Sequence, residues 1–276
     1  MNKLCFYVKP FKEVGSYFDM IDLAVEYGHS AIEALSTMEF ETPDLEKAQK
    51  IREYADSKNI KFSCISVFFD FTKEDYDEAM ERLKKYAKIA QILGSPYLHH
   101  TVLAEFEDPA RVLAEKDKFF EIGIRAVREM YDYAKELGVQ TLYEDQGFIF
   151  NGVKGLGALL EKADRDIGLV VDFGNIAQSG DEITQLLKAY PDKIRHVHIK
   201  DVKVTDEPLS KSSLPTINNK YMNEVKLGTG EVKLKEALAI LKEIGYDGYM
   251  SAEFPAPNGD PEELRQCFAL IEEYFR

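Results

Sequence analysis

Short apolar segments rich in β-branched and aromatic residues alternate along the chain with longer segments of helical periodicity. This alternation is typical of repeated strand–helix units and a parallel sheet. Eight such units are predicted, with strands at Leu4–Val8, Ala31–Leu35, Lys61–Val67, Tyr97–Val102, Gln140–Glu144, Gly168–Asp172, Ile194–Lys200 and Gly248–Glu253. The predicted helices are Tyr17–Tyr27, Pro43–Ser57, Tyr76–Leu93, Lys118–Leu137, Val153–Lys162, Asp181–Ala189, Lys233–Ile244 and Pro261–Tyr274.

Several predicted helices are followed by glycine, which relieves the left-handed turn before the next strand; these are Gly28, Gly94, Gly138 and Gly245. Eight strand–helix units in 276 residues, without a linker or a shift in composition, predict an α/β fold of one domain, a single (β/α)8 TIM barrel over residues 1–276. An open doubly wound sheet is the alternative. Such a sheet usually has a glycine-rich phosphate turn after its first strand, whereas residues 9–12 read Lys-Pro-Phe-Lys.

Two long segments lack clear periodicity, Leu103–Lys116 after strand four and Val202–Leu227 after strand seven. Both follow strand ends, so both are predicted to lie over the mouth formed by the carboxyl ends of the strands. Long loops at that mouth tend to be lids or substrate-binding elements.

The charge composition excludes some classes of partner. The chain has 35 Lys and Arg against 49 Asp and Glu, a formal net charge of −14, which argues against a nucleic-acid scaffold. Its longest uncharged segment, residues 89–104, contains glycine and proline, so no membrane span is predicted. The five-residue apolar run near the N-terminus is too short for a signal peptide, and the 3 cysteines form no Cys-x-x-Cys pair. We therefore expect a soluble, cytoplasmic protein with reduced thiols.

Candidate chemistry stands at the carboxyl ends of strands five to eight, which meet at the mouth of a barrel. Each of these strands supplies one residue of a type that binds metals: Glu144, Asp172, His198 and Glu253. Three carboxylates and one imidazole suit Mn²⁺, Mg²⁺ or Co²⁺, and Zn²⁺ also fits. Any one of the acids alone could instead cap the next helix. Together they predict a site for one divalent metal ion.

The histidines require a choice in two places. His196 and His198 are two apart on strand seven and point the same way, so alternation does not separate them. His198 is preferred as the ligand because it is closer to the end of the strand, and His196 is expected deeper in the barrel or as a hydrogen-bond partner. His99 and His100 end strand four, and only one of them can face the axis. His100 is a candidate substrate contact, although a purely structural role for either residue is equally open.

Several features occur together along the chain: the series Glu144, Asp172, His198 and Glu253, the segment His-Val-His-Ile-Lys-Asp at 196–201, Gly-Thr-Gly-Glu-Val at 228–232, Ile32-Glu33 after Gly28, and Leu93-Gly94 before strand four. Together they resemble the sugar phosphate isomerase/epimerase superfamily, which has a xylose isomerase-like TIM barrel. The resemblance covers essentially the whole chain. It implies a single xylose isomerase-like domain over residues 1–276.

The resemblance implies that the four residues hold one divalent metal ion, Mn, Co, Mg or Zn, which chelates adjacent oxygens of a ketose or keto-polyol. A metal that polarises a carbonyl acidifies the neighbouring C–H, and carboxylates could then remove and return the proton. In the family's ketose 3-epimerases two glutamates do this, so Glu144 and Glu253 are the expected catalytic residues. The expected function is an isomerase or epimerase of a ketose, sugar phosphate or inositol-derived ketone.

Other residues at the mouth are candidates for substrate binding: Glu33, His100, Asn175, Lys200 and Asp201. Many family members carry histidine where this chain has Asn175. Lys200 and Asp201 could instead pair with charges around the rim. The superfamily's endonucleases need the missing histidine and an Asp-x-His after strand seven, but residues 202–230 contain no histidine.

Three other functions remain as alternatives. An inosose-type dehydratase, a lyase, would use the same metal site, and a sugar-binding barrel subunit would need no metal. An endonuclease is the least favoured. The expected partner is a small carbohydrate or polyol, with no nucleic acid and no membrane, and a homo-oligomer is left open.

Overall fold

The computed structural model describes residues 3–7, 15–106, 108–253 and 261–275. Its strands are β1 (Lys3–Tyr7), β2 (Ala31–Leu35), β3 (Lys61–Val67), β4 (Tyr97–His100), β5 (Gln140–Glu144), β6 (Gly168–Asp172), β7 (Ile194–Ile199), β8 (Asp201–Thr205), β9 (Leu214–Pro215), β10 (Tyr221–Val225) and β11 (Tyr249–Ala252). All of these except β8, β9 and β10 form a closed parallel barrel in the order β1-β2-β3-β4-β5-β6-β7-β11. The predicted single (β/α)8 barrel is confirmed, and an open sheet is excluded.

Helices connect the barrel strands. They are α1 (Tyr17–Glu26), α2 (Ser36–Glu39), α3 (Leu45–Ser57), α4 (Tyr76–Leu93), α5 (Pro109–Ala114), α6 (Lys116–Glu136), α7 (Gly152–Ala163), α8 (Ile183–Ala189), α9 (Leu234–Glu243) and α10 (Pro261–Phe275). The eight predicted helices are present with shifted ends, whereas α2 and α5 were not predicted. Predicted strand one runs to Val8, which lies outside the described residues. No helix in the described part of the chain is long and apolar enough to cross a membrane.

Glycines end the helices where the sequence predicts them. Gly94 follows α4 with φ of 68°, and Gly138 stands between α6 and β5 with φ of 72°. Other residues adopt this left-handed conformation only with strain, so glycine lets the chain turn directly into the next strand.

Strand residues alternate between the barrel interior and the layer under the helices. On the helix side, Phe6 and Ile65 belong to the main apolar core together with Met80 and Leu83 of α4. Inside the barrel, a small separate cluster is formed by Cys64, Leu142 and Val170, with Tyr97 packed against it. Two positions further along the same strands stand polar residues, namely Ser66, His99, Glu144 and Asp172. The interior therefore changes from an apolar floor to a polar layer toward the carboxyl ends of the strands.

The two segments predicted to be irregular contain regular structure. Within Val202–Leu227, β8, β10 and β9 form an antiparallel sheet in that order. Within Leu103–Lys116, α5 begins at Pro109 and is capped by the side chain of Asp108. Both elements are built from short segments, which hides their periodicity. They still follow β7 and β4, where the sequence predicted loops over the mouth.

Gly138→Ala should lower the free energy of unfolding by about 1 kcal/mol, because a Cβ would force strain at positive φ. A Cβ there meets no atom within 4 Å, so the change isolates the backbone strain. Urea unfolding followed by circular dichroism measures it. Asn59→Gly is the control, since Asn59 also has positive φ, of 58°, and glycine tolerates it. Equal stability of Gly138→Ala and the wild type would contradict this account of the turn.

Candidate active site

The four predicted ligand residues meet at the carboxyl ends of β5, β6, β7 and β11. Glu144, Asp172, His198 and Glu253 each offer one ligand atom, and these atoms all lie within 4.8 Å of one another. His198 Nδ1 is 2.8 Å from Glu144 Oε1, 3.2 Å from Glu253 Oε2 and 3.8 Å from Asp172 Oδ2. All four side chains are buried. We call this group the carboxylate–histidine cluster.

The turn after β6 orients the carboxylate of Asp172. Its Oδ1 accepts hydrogen bonds from the backbone N–H groups of Gly174 at 2.7 Å and Asn175 at 2.8 Å. Its Oδ2 is buried and accepts no hydrogen bond from the described residues, although Lys200 Nζ lies 3.1 Å away. A buried carboxylate oxygen that accepts no hydrogen bond is available as a metal ligand. Together with the other three donors, it fits a divalent metal ion.

Glu33 lies beneath the cluster. Its Oε1 accepts hydrogen bonds from Ser66 Oγ at 2.7 Å and His198 Nε2 at 2.9 Å, and its Oε2 accepts them from His196 Nε2 at 2.8 Å and Ser251 Oγ. Burial raises the pKa of Glu33, but His198 and His196 hold it well below its usual range. Both oxygens are engaged and the side chain is 0% exposed. The structure thus places Glu33 under the ligands and gives it no surface for the predicted substrate contact.

The protonation of His198 follows from these contacts. Burial lowers its pKa, but Glu33 and Glu144 raise it to about 10. With one N–H directed at Glu33, the other nitrogen, Nδ1, faces the carboxylates of the cluster. A bound metal would replace the Nδ1 proton, as happens whenever an imidazole becomes a ligand. His196 Nε2 contacts Glu33 Oε2, whereas His198 Nδ1 faces the carboxylates of the cluster.

Lys200 and Asn175, two of the predicted substrate-binding residues, stand at the cluster. Lys200 Nζ is 3.1 Å from Glu253 Oε1 and 3.3 Å from Glu224 Oε1, and it donates a hydrogen bond of 3.0 Å to Asn175 Oδ1. Burial lowers the pKa of Lys200, but Asp172 and the nearby glutamates raise it above its usual range. The ammonium group therefore stays charged and offsets part of the negative charge.

Asp201 has a different place from the one predicted. Its carboxylate accepts hydrogen bonds from the backbone N–H groups of Val202, Gly228, Gly230 and Val232, at distances of 2.8–3.2 Å. A Cβ at Gly230 would lie 2.1 Å from Asp201 Oδ1, so only glycine allows this approach. Asp201 therefore holds the loop before α9 and has no oxygen left for a substrate.

The structure also separates the two histidines of β4. His99 Nε2 lies 3.9 Å from Glu144 Oε2, inside the barrel. His100 points to the helix side, where its Nδ1 contacts Thr101 O at 3.1 Å and its Nε2 contacts Tyr143 Oη at 3.0 Å. Burial lowers the pKa of His100 to about 3, so it is neutral. His99, not His100, is brought to the cluster, because adjacent residues of a strand point to opposite faces.

Several residues of the site were missed or left aside by the sequence reasoning. Glu224 reaches Lys200 from β10, an element that was not predicted. Ser66 and Ser251 lie on the interior side of their strands, as the ligand residues do. Strand alternation is the signal in the sequence that could have predicted their place in the site. Tyr7 stacks on His198 with ring centroids 5.3 Å apart.

Asp201→Ala should lower the free energy of unfolding by about 2–4 kcal/mol, because several backbone N–H groups lose their acceptor. Urea unfolding provides the measurement. Asp206→Ala is the control, since the Asp206 side chain is 86% exposed and its ion pair with Lys220 contributes little. If Asp201 contacts substrate instead, its replacement will leave stability unchanged and weaken only substrate binding.

Comparison with known proteins is consistent with this architecture. Inosose dehydratase from Clostridium perfringens strain 13 is 22% identical over 223 residues, covering 76% of this chain and 73% of the relative. Inosose isomerase from Halalkalibacterium halodurans is 26% identical over 271 residues, covering 92% of this chain and 88% of the relative. Among solved structures, the IOLI protein with a binding zinc atom superposes with a TM-score of 0.75 at 23% identity, covering 99% of this chain and 96% of that chain. At that identity the likeness shows the fold alone.

The sequence profile of the xylose isomerase-like TIM barrel matches residues 21–274, which is most of the chain. The match includes all four residues of the carboxylate–histidine cluster and the strands that carry them. The protein belongs to the xylose isomerase-like TIM barrel family.

Proposed function

We propose that the protein is a divalent-metal-dependent isomerase or epimerase that acts on a ketose, a sugar phosphate or an inositol-derived ketone. The observation that carries the proposal is the carboxylate–histidine cluster, in which two glutamates flank a single imidazole nitrogen. Glu144 Oε1 and Glu253 Oε2 lie 2.8 and 3.2 Å from His198 Nδ1. The inosose isomerase that matches over 92% of this chain supports the same class of substrate.

The proposed cofactor is one divalent ion, Mn, Co, Mg or Zn. Glu144, Asp172, His198 and Glu253 would hold it through three carboxylates and one nitrogen, a donor set that suits these ions. Asp172 Oδ2, which accepts no hydrogen bond from the described residues, supports the choice of a metal ion. The zinc atom of the IOLI structure supports it in a protein of the same fold.

The metal would polarise a substrate carbonyl and acidify the adjacent C–H. Glu144 and Glu253 would then remove the proton from that carbon and return it, as the acid and base of the reaction. Burial raises the pKa of Glu144, but the hydrogen bond from His198 and the nearby positive charges lower it to about 2. Glu144 is therefore a carboxylate at neutral pH and ready to accept a proton. Lys200 and Asn175 would bind substrate oxygens.

A dehydratase of the inosose type is the second candidate, and the position of Lys200 favours it. Its ammonium group lies 3.1 Å from Glu253 Oε1, inside the cluster. One glutamate would take the C–H proton while Lys200 gave a proton to the departing hydroxyl, so that water leaves and a C=C bond forms. The inosose dehydratase that matches over 76% of this chain supports this reading.

We also propose the class of molecule that the protein binds and the compartment in which it acts. A small carbohydrate or polyol is the partner, and the formal net charge of −14 speaks against nucleic acid. Cys5 and Cys64 are buried free thiols, in keeping with a reducing cytoplasm.

Wild-type protein should bind about one divalent ion per chain, and Glu253→Gln and His198→Ala should bind it more weakly, because the first loses a negative charge and the second loses a nitrogen ligand. Elemental analysis after reconstitution and calorimetric titration with Mn²⁺ measure this. Glu243→Gln is the control, because Glu243 is exposed on α9. A folded wild type without metal would favour the sugar-binding subunit, and three zinc ions per chain would favour the endonuclease.

Glu144→Gln and Glu253→Gln should each slow proton exchange by about 10²–10⁴-fold, since glutamine keeps an oxygen but cannot accept the proton. Exchange is measured by NMR as deuterium incorporation from D₂O into 2-keto-myo-inositol and D-psicose. Products that differ from the substrate only by exchanged deuterium indicate an isomerase or epimerase, and products that have lost water indicate the dehydratase. Undiminished exchange in both variants would contradict the assignment of the glutamates.

A further inference from the structure

One buried nitrogen near the cluster has no use in the proposed chemistry. His99 is 2% exposed, and its Nε2 has no hydrogen-bond partner among the described residues. The nearest charged group is Glu144, whose Oε2 lies 3.9 Å away. The next ring is that of His198, with centroids 6.0 Å apart. Buried polar atoms normally have hydrogen-bond partners, so we expect a bound ligand to contact this nitrogen.

The tautomer of His99 follows from its other nitrogen. Ser66 Oγ lies 2.7 Å from Glu33 Oε1 and 3.1 Å from His99 Nδ1. Ser66 has a single hydroxyl hydrogen, and the ionised Glu33 can only accept, so Ser66 donates to Glu33. His99 Nδ1 must then carry the hydrogen and donate it to Ser66 Oγ.

The remaining nitrogen of His99 is therefore a hydrogen-bond acceptor. No acceptor among the described residues lies within hydrogen-bond distance of Nε2, so a hydrogen on that atom would have no partner. Nε2 then presents a lone pair next to the carboxylate of Glu144. Two acceptors 3.9 Å apart cannot bond to each other, but a hydroxyl group beside them can donate its one hydrogen to His99 Nε2.

We propose that His99 Nε2 accepts a hydrogen bond from a free hydroxyl group of the substrate, on the side served by Glu144. This inference rests on the proposed function and narrows its substrate class. The enzyme takes a polyol ketone with a hydroxyl next to the carbon whose proton Glu144 moves. A phosphate at that position is rejected, because its negative oxygens would face a lone pair and a carboxylate.

The test compares His99→Asn with the wild type. Asparagine can still donate to Ser66 from near the Nδ1 position, but it has no atom at the Nε2 position. The substrate is 2-keto-myo-inositol or D-psicose, whichever exchanges faster in D₂O, together with its analogue that lacks the hydroxyl beside the exchanging carbon. We expect kcat/KM for the hydroxylated substrate to fall about tenfold and that for the deoxy analogue to stay unchanged.

His99→Gln is the second variant, because its longer amide reaches the Nε2 position and should recover part of the lost kcat/KM. Both variants are compared at equal folded fraction, measured by circular dichroism. An equal loss on both substrates would mean that His99 acts only on the structure, and it would overturn the proposal. Absence of exchange in the wild type with every ketone would instead remove the proposed function.

Nitrogen NMR gives a readout that does not depend on turnover. The chain has 5 histidines, so ¹⁵N-histidine labelling of the Mg²⁺-loaded protein yields few signals, and His99→Asn identifies those of His99. We expect a protonated Nδ1 and an unprotonated Nε2 that shifts when 2-keto-myo-inositol or D-psicose is added. Ser66→Ala should weaken the preference for this tautomer. A protonated Nε2, or no shift with a ketone that exchanges, would overturn the proposal.

Discussion

The candidate site depends on the buried carboxylate of Glu33. It accepts hydrogen bonds from both histidines of β7 and from two serines on β3 and β11. Each of these bonds decides where a hydrogen lies, because an ionised carboxylate can only accept. His198 is thereby oriented with Nδ1 toward the cluster, and His99, through Ser66, with its lone pair toward Glu144. The charge of Glu33 thus fixes the hydrogen positions on side chains from four different strands.

That arrangement concentrates negative charge. Glu33, Glu144, Asp172 and Glu253 are all at least nine-tenths buried, and inside the barrel they are offset by Lys200 and the protonated His198. Ionised groups removed from water must be compensated by nearby charge or hydrogen bonds. The shortage of positive charge, together with the absence of a hydrogen bond to Asp172 Oδ2 from the described residues, is the physical reason to propose a divalent cation among these residues.

Along the barrel strands, the residues that pack the interior are separate from the residues that form the candidate site. An apolar layer of Cys64, Leu142 and Val170 closes the interior below, and polar residues follow it toward the carboxyl ends. The segments after the strands then complete the site. Asp201 holds the loop before α9 through its backbone N–H groups, and Glu224 on the antiparallel insert reaches Lys200. These segments contribute to the site mainly through charged residues close to the barrel strands.

The sequence alone determined the barrel, its glycine turns and the four residues of the cluster. These depend on local periodicity and on a rule of the fold, that the carboxyl ends of neighbouring strands meet at one mouth. Only the tertiary structure decided the roles of Glu33, His99 and Asp201. Whether a carboxylate faces a substrate, a histidine or backbone N–H groups depends on partners far along the chain, such as Gly230 for Asp201. Side-chain direction and long-range packing carry that information, and the spacing of residues within one strand does not.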